Sequence, residues 1–285
     1  IRTQLSDGYR LTSTILEQAL RNCSSYDGKQ KLLVINAPCN PTGQTYSSAQ
    51  LQEIAEVARE NELVILSDEI YANITFAGEK HESIAKYYPE GTIVLGGLSK
   101  DRSAGGYRLG VLLLPKAEQD LKQTLLAIGS NTWSCVAAPI QYAALEAYRH
   151  NPAITQYMDE CKSIHELVTK YVFERLTNHR ISCPRPMGAF YLFPNWNKFR
   201  TILKERGITT SSDLAYTLLK DWNVASLPGS DFAMNPSDLS LRLATVDYDG
   251  ALALETYRQD PIWAIHGDPA QFVEQIAPRL VTACE

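Results

Sequence analysis

The 285-residue chain lacks any uninterrupted apolar run of the ~18–20 residues that a membrane-crossing helix needs, so helical channels and transporters are not expected. It also lacks an excess of positive charge. Its 27 Lys and Arg stand against 32 Asp and Glu, for a net charge of -5, and no basic block or interleaved aromatic stripe is present. A nucleic-acid-binding surface is therefore not expected. Cysteine is sparse and unpaired in pattern: Cys23, Cys39, Cys135, Cys161, Cys183 and Cys284 form no C-x-x-C. Reduced thiols in an intracellular, cytoplasmic protein account best for that scatter. The five histidines are equally dispersed, and no metal site is expected. Gly105-Gly106 and Gly110 do not spell G-x-G-x-x-G and lead into an apolar strand-like run, which argues against a dinucleotide-dependent oxidoreductase. G-x-S-x-G is absent, and with it the signature of a serine hydrolase. There is no internal repeat and no low-complexity stretch.

What is present is a chain that is 45% hydrophobic and 21% charged, ordinary for a globular protein with a substantial core. Apolar positions at Leu11, Ile15, Leu16, Ala19 and Leu20 have helical spacing over 11–22. Leu32–Asn36 reads as a buried strand, and Ala37–Gly43 as a loop enforced by two prolines and a glycine. Ser47 or Ser48 then caps a helix running to about Glu62, and Leu63–Leu66 is the next strand. Ile93–Leu95 and Leu109–Leu114 are further strands. Strands alternating with helices predict an α/β fold with a mostly parallel sheet and crossover helices. Residues 116–180 read as mainly helical, with segments at 136–150 and 153–176. After Ile181 the pattern changes to short strands (Ala189–Phe193, Val224–Gly229, Leu239–Val246) and a helix over 212–222. The expectation is a large domain over 1–152 and a smaller C-terminal α/β domain over 153–285.

In such sheets ligands bind beyond the carboxyl ends of the strands. Asn40, Asp68 and Lys100 each fall just past such an end. Lys100 lies between an apolar strand that stops at Gly96-Gly97 and a glycine-rich turn, with Arg108 eight residues on. A lysine held among apolar neighbours can lose its proton and attack carbonyls, and an arginine nearby can hold an anion. Taken alone, each residue also has a plainer explanation. Lys100 reads as a solvated turn lysine, Asp68 as a strand-end turn carboxylate, Tyr71 as a core aromatic and Asn40 as a turn former before proline. Arg108 could pair with Asp101, Ser99 could cap a helix, and Arg242 could sit in a buried structural salt bridge.

Together the residues resemble the fold-type-I aminotransferases that use pyridoxal 5'-phosphate. Asn40-Pro-Thr-Gly43, Asp68-Glu-Ile-Tyr71, Ser99-Lys100 followed by Arg108 and Gly110, and Leu239-Ser-Leu-Arg242-Leu match four of the family's motifs in order. Pro228-Gly229 before Phe232 and Gly188-Ala-Phe-Tyr191 resemble its small-domain signatures. The resemblance implies catalytic roles for Lys100, Asp68 and Tyr71. Lys100 would form the Schiff base and then move the substrate α-proton, while Asp68 would pair with the pyridine nitrogen. Tyr71 and Asn40 would bond the ring oxygen, and Arg108 and Ser99 would hold the phosphate. Arg242, with Asn40, would bind the substrate carboxylate. The implied reaction is ping-pong transfer of an amino group between an amino acid and a 2-oxo acid, in a homodimer. The same residues would serve a β-lyase or a cyclopropane-carboxylate-type synthase. A non-enzymatic regulatory or dimerisation domain of this fold is disfavoured, because all six polar positions are intact.

Two departures stand out. The family often has serine three residues before the lysine, where this chain has Gly97. The chain also opens Ile1-Arg-Thr-Gln, without Met, signal peptide or transit peptide, and residues 1–30 match nothing of the family's N-terminal part. That part carries the phosphate-binding helix start, a ring-stacking aromatic and a tyrosine given to the neighbouring subunit. The chain is expected to be a fragment that by itself binds the cofactor weakly.

Overall fold

The computed structural model describes all residues except 23–28, 117 and 260–268, so Cys23 and His266 lie outside the described residues. Helix α1 (Ser13–Arg21) is capped by the Thr12 side chain and leads to strand β1 (Leu32–Asn36). Helix α2 (Ser48–Glu60) begins with a capping box in which Ser47 and Gln50 satisfy each other's backbone N–H groups. Strands β2 (Val64–Asp68), β3 (Thr92–Gly97) and β4 (Gly110–Leu113) complete a sheet of order β1-β2-β3-β4. The first three strands are parallel and β4 is antiparallel to β3. The β3–β4 link, residues 98–109, holds only a short helical turn at 105–107 and no crossover helix, which accounts for the reversal, since a parallel return usually runs through a helix. The apolar faces of α1 and α2 pack onto Leu33, Ile35 and Ile65, a core whose Ile54, Ala55, Ala58 and Ile65 are fully buried. The other face of β1 carries Leu32 and Val34, which are 59% and 60% exposed.

Helices α3 (Gln119–Thr132) and α4 (Ala138–Tyr148) follow, then the long α5 (Pro152–Asn178), started by an Asn151 cap and Pro152. Beyond α5 come β5 (Tyr191–Leu192), α6 (Arg200–Glu205), α7 (Ser211–Trp222), β6 (Leu227–Pro228) and β7 (Leu241–Ala244). Three helices close the chain: α8 (Gly250–Gln259), α9 (Pro269–Ile276) and α10 (Pro278–Cys284). A second sheet has the order β5-β7-β6, with antiparallel pairing throughout. Its strands are shorter than the apolar runs predict. Pro194 has no N–H to donate, and Asn195 and Ser240 meet only through an isolated bridge. α5, α8 and α9 bury Val168, Phe272 and Val273 together with Leu192, so α5 is the spine of this half.

A smaller cluster joins the two sheets: Tyr71, Ile74 and Phe76 from the loop after β2, with Ala189 and Tyr191 at the start of β5. The functional candidates gather around it. Among the described residues no helix is long and apolar enough to cross a membrane.

Candidate active site

Side-chain bonding ties the ends of β1 and β2 together. The Asn36 side-chain amide donates to the Asp68 carbonyl at 2.9 Å, and its Oδ1 accepts the Asn40 N–H at 2.7 Å. This fixes Asn40 beside the end of β2. The loop then turns at Gly43 (φ +66°), whose carbonyl accepts the N–H groups of Met187 and Gly188 at 2.9 and 3.0 Å. A Cβ at Gly43 would lie 2.8 Å from the Tyr191 carbonyl oxygen, so both the positive φ and the backbone approach require glycine.

Asp68 ends β2 half-buried, with Oδ1 accepting the Ile70 N–H at 3.2 Å. Burial raises its carboxyl pKa; the Ile70 N–H opposes this, Glu69 adds to it, and nearby Lys100 opposes it. Glu69 anchors the same strand end by accepting from Ser67, Ser83 and His81 at 2.9, 2.5 and 3.0 Å. Burial alone would raise its pKa, but the His81 and Ser83 bonds outweigh that and leave it lowered. Tyr71 is 3% exposed, and its hydroxyl lies 3.0 Å from that of Tyr191. Burial holds its phenol pKa far above the usual value. Tyr71 is thus both a core aromatic and a polar group at the site.

Lys100 follows β3 by three residues and is half-buried. Its Nζ lies 5.8 Å from the Tyr71 ring centre and 6.0 Å from that of Phe190, and it forms no ion pair among the described residues. Asp101 does not pair with Arg108. It is buried against Arg102 and Asn73, with 2.7 Å to the Asn73 amide, and Arg102 in turn donates to the Ala147 carbonyl on α4. Arg102 is therefore the residue that anchors this loop. Arg108 is exposed in left-handed backbone (φ 55°) and donates to the Gly105 carbonyl at 2.8 Å, so no recorded contact brings it to Lys100. Ser99 caps no helix, because the short helical turn at 105–107 follows Ala104. Gly97 is buried where a Cβ would meet the Leu109 carbonyl at 3.0 Å and the Ile70 side chain at 3.1 Å. The β3–β4 approach accounts for glycine where the family often has serine.

Arg242 comes from the second sheet. It donates from Nη1 to Asn40 Oδ1 at 3.2 Å, across 202 residues of sequence, and so joins the two halves of the site. Its guanidinium carbon lies 4.9 Å from the Tyr191 ring centre and 5.4 Å from that of Phe232. Its Nε is buried without a hydrogen-bond partner, and no acidic side chain pairs with Arg242 among the described residues. Among the described residues there is no structural salt bridge to explain this arginine.

The sequence profile described as Aminotransferase class I and II matches residues 1–250. The chain belongs to that family. It is 36% identical over 231 residues to the probable N-acetyl-LL-diaminopimelate aminotransferase of Bacillus subtilis (strain 168), covering 80% of this chain and 53% of that protein. It is 32% identical over 241 residues to the aspartate aminotransferase of Geobacillus stearothermophilus, with 83% and 57% covered. The structure of the aromatic aminotransferase from Pyrococcus horikoshii OT3 superposes with a TM-score of 0.76 at 25% identity, over 99% of this chain and 65% of that one. The chain thus spans about half the length of the curated relatives it matches.

Aminotransferases of this class depend on pyridoxal phosphate. The residues present fit that group: Lys100, unpaired among the described residues, lies near the Tyr71 ring and Asp68, and Arg242, with its orphaned Nε, lies beside Asn40 and near Tyr71. Sequence reasoning missed Tyr191 as a site residue and Arg102 as the loop anchor. The Gly188-Ala-Phe-Tyr191 string carried the first signal, but an aromatic inside an apolar strand reads equally well as core.

Proposed function

We propose that this chain provides the reactive amine, the cofactor-ring partners and the carboxylate-binding arginine of an enzyme that transfers an amino group between an amino acid and a 2-oxo acid. The observation that carries the reading is Arg242. Its buried Nε, beside Asn40 and close to Tyr71, has no acceptor among the described residues, and no carboxylate among them offsets the guanidinium charge, an arrangement suited to a bound carboxylate.

Each side chain then has a task at a stated atom. Lys100 Nζ, walled by the Tyr71 and Phe190 rings, takes the proton from the substrate α-carbon and returns it elsewhere as general base and then acid. Asp68 would accept from the protonated ring nitrogen, a pairing that would offset the burial that raises its pKa. Tyr71 would donate a hydrogen bond to the ring oxygen. Asn40 Oδ1 is committed to Arg242, which leaves the Asn40 amide N–H groups to face the ring oxygen or the carboxylate. One amide thereby serves both tasks that the sequence suggests for it. Arg108 and Ser99 would bind the phosphate, with Arg108 exchanging the Gly105 carbonyl for phosphate oxygens. When bound, pyridoxal phosphate supplies an aldehyde carbon that exchanges amines and a ring that takes up the electron pair left on the substrate.

Relatives named for aspartate, aromatic and diaminopimelate substrates share an α-carboxylate and differ in the rest. Arg242 therefore supports the amino-acid class without selecting a side chain. Division of the chain near residue 152 into two domains, and pairing with a second copy, belong to the same reading. Exposed Leu126, Ile128, Trp133, Tyr142 and Leu145 on and beside α3 and α4 support the pairing. The test is an amino-donor panel on the full-length protein, read by cofactor absorbance. Conversion to the pyridoxamine form with release of the 2-oxo acid is the expected result. Release of ammonia with the starting spectrum regenerated would show a lyase instead.

A further inference from the structure

Tyr191 belongs to none of the roles above, yet it touches two of the residues that fill them. In the second sheet Tyr191 pairs with Ala244, so Arg242, two residues away on the same face of β7, is its diagonal neighbour. That register puts the guanidinium carbon 4.9 Å from the Tyr191 ring centre. On the other side the Tyr191 and Tyr71 rings meet edge to face, 5.7 Å between centres at 85°, with hydroxyls 3.0 Å apart. Tyr191 is 6% exposed, and its carbonyl lies against Gly43. It has little freedom to do anything but mediate between these two partners.

We propose that Tyr191 is a positioning residue with two separable tasks: its ring carries Arg242, and its hydroxyl donates to Tyr71 so that the Tyr71 proton points into the site. The inference rests on the amino-transfer reading given above. The hydroxyl argument is one of proton counting. Two phenols that share one hydrogen bond have one proton left over. If Tyr71 donated to Tyr191, only lone pairs of Tyr71 would face the site, and the ring oxygen of pyridoxal phosphate is itself an acceptor. If Tyr191 donates, the Tyr71 proton is free to bond that oxygen. A cation above a phenol ring draws density from it and favours its O–H as donor; Arg242 lies 4.9 Å from the Tyr191 ring centre, nearer than Lys100, which lies 5.8 Å from that of Tyr71. A hydroxyl that receives a hydrogen bond is also the stronger donor in turn. The ring argument is simpler. Arg242 has one bond, to Asn40, and two aromatic faces to hold it. Loss of the nearer face frees the fork that must meet a carboxylate in fixed geometry.

Tyr191→Phe removes the hydroxyl alone, and Tyr191→Leu removes hydroxyl and ring. Both are compared with the parent in the full-length, cofactor-loaded protein, using the best donor of the panel. For Tyr191→Phe, kcat falls about five- to tenfold while KM stays within about twofold. Without substrate, the pH midpoint of the cofactor's visible absorbance rises by about half a unit, because Tyr71 has become a weaker donor. For Tyr191→Leu the same losses appear and KM rises about tenfold, an increase that phenylalanine at this position rescues. A Tyr191→Phe protein with parental kcat and parental midpoint overturns the hydroxyl task, and a Tyr191→Leu protein with parental KM overturns the ring task. Should the leucine variant not fold, Tyr191→Met takes its place, and Tyr191→Phe decides the hydroxyl task by itself. If no donor converts the parent, the amino-transfer reading has failed, and the spectral midpoint still decides whether Tyr191 acts through Tyr71.

Discussion

Replacing Arg242 with methionine separates a functional arginine from a structural one by the sign of two measurements. In the folded protein this side chain has one hydrogen bond, two ring contacts and one buried N–H without a partner. The bond to Asn40 is worth about 2 kcal/mol and the ring contacts together about 1 kcal/mol, all of which Arg242→Met loses. Against that, the substitution removes an unsatisfied buried donor that costs about 1–3 kcal/mol, and the methionine keeps most of the apolar stem contact. The two sides leave a net loss of about 0–2 kcal/mol. Thermal unfolding should therefore fall by no more than about 6 °C. Breaking a buried structural ion pair would instead cost about 3–5 kcal/mol. Activity should respond in the opposite way. A carboxylate that loses a bidentate, charge-assisted partner forfeits about 3–4 kcal/mol, so kcat/KM should fall about 10²–10³-fold. Melting curves by circular dichroism and donor kinetics by cofactor absorbance read the two quantities on the same preparation. A variant that melts more than about 8 °C lower, with activity retained per folded molecule, would refute the argument and make Arg242 a structural residue.

Other perturbations test the remaining parts. Lys100 makes no ion pair among the described residues, so Lys100→Ala should leave the melting temperature within about 2 °C while abolishing the visible Schiff-base band and lowering amine transfer about 10³-fold or more; a surviving band assigns the reactive amine elsewhere. Gly43→Ala should destabilise by about 3 kcal/mol, from a strained φ and a 2.8 Å approach to the Tyr191 carbonyl, and denaturant unfolding with an unchanged midpoint would contradict the loop geometry. His165 is half-buried, with its ring nitrogen 2.7 Å from the Tyr248 hydroxyl, and loss of solvent around the ring pushes its pKa down from 6.5 to about 4. The unfolded chain therefore binds this proton more readily than the folded one. His165 contributes stability that is complete above pH 6.5 and is lost as the pH falls towards 4, about 3 kcal/mol over that window. His165→Gln keeps a partner for Tyr248 and cannot titrate, so its unfolding free energy should fall less steeply between pH 7 and 4.5 than the parent's; parallel curves would rule the histidine out.

Much of the arrangement was legible because the physics that builds it is local. A parallel β/α pattern places ligands beyond strand ends, so Asn40, Asp68 and Lys100 could be selected from strand boundaries alone. Arg242 was legible for the opposite reason, as a charge set in an apolar strand that needed a partner. Arg108 shows where local reasoning stops. Its pairing with Asp101 looked reasonable from seven residues of spacing, but Asp101 is turned inward to Asn73 and Arg102. Nothing in the local pattern says which of two arginines, one or seven positions away, the folded turn will present. The antiparallel β4 could have been read from the glycine-rich link before it, which has no pattern for a crossover helix, and was not, because strand assignment by apolar runs carries no direction.

Tyr191 was legible only as the last residue of the Gly188-Ala-Phe-Tyr191 string, with no role attached, and the reason lies in how the two sheets are sewn together. Its partners are Tyr71, 120 residues before it, and Arg242, 51 residues after it, read from their numbers in the chain. They meet because Gly43 accepts the N–H groups of Met187 and Gly188 while the Ile74 carbonyl accepts that of Ala189. Three loops thereby share backbone hydrogen bonds, and the start of β5 is pinned over the ends of the first sheet. Backbone pairing of that kind is blind to side chains, and any residue at position 191 would be carried to the same place. The sequence decides only what is found there. A phenylalanine would have completed the aromatic cluster around Tyr71 and Phe190 with nearly the same shape, but it would have left Tyr71 with no hydroxyl to meet, and a leucine would also have left Arg242 with only the Phe232 ring of these two. The phenol at this position is therefore explained by the pair of groups it touches rather than by the core it completes.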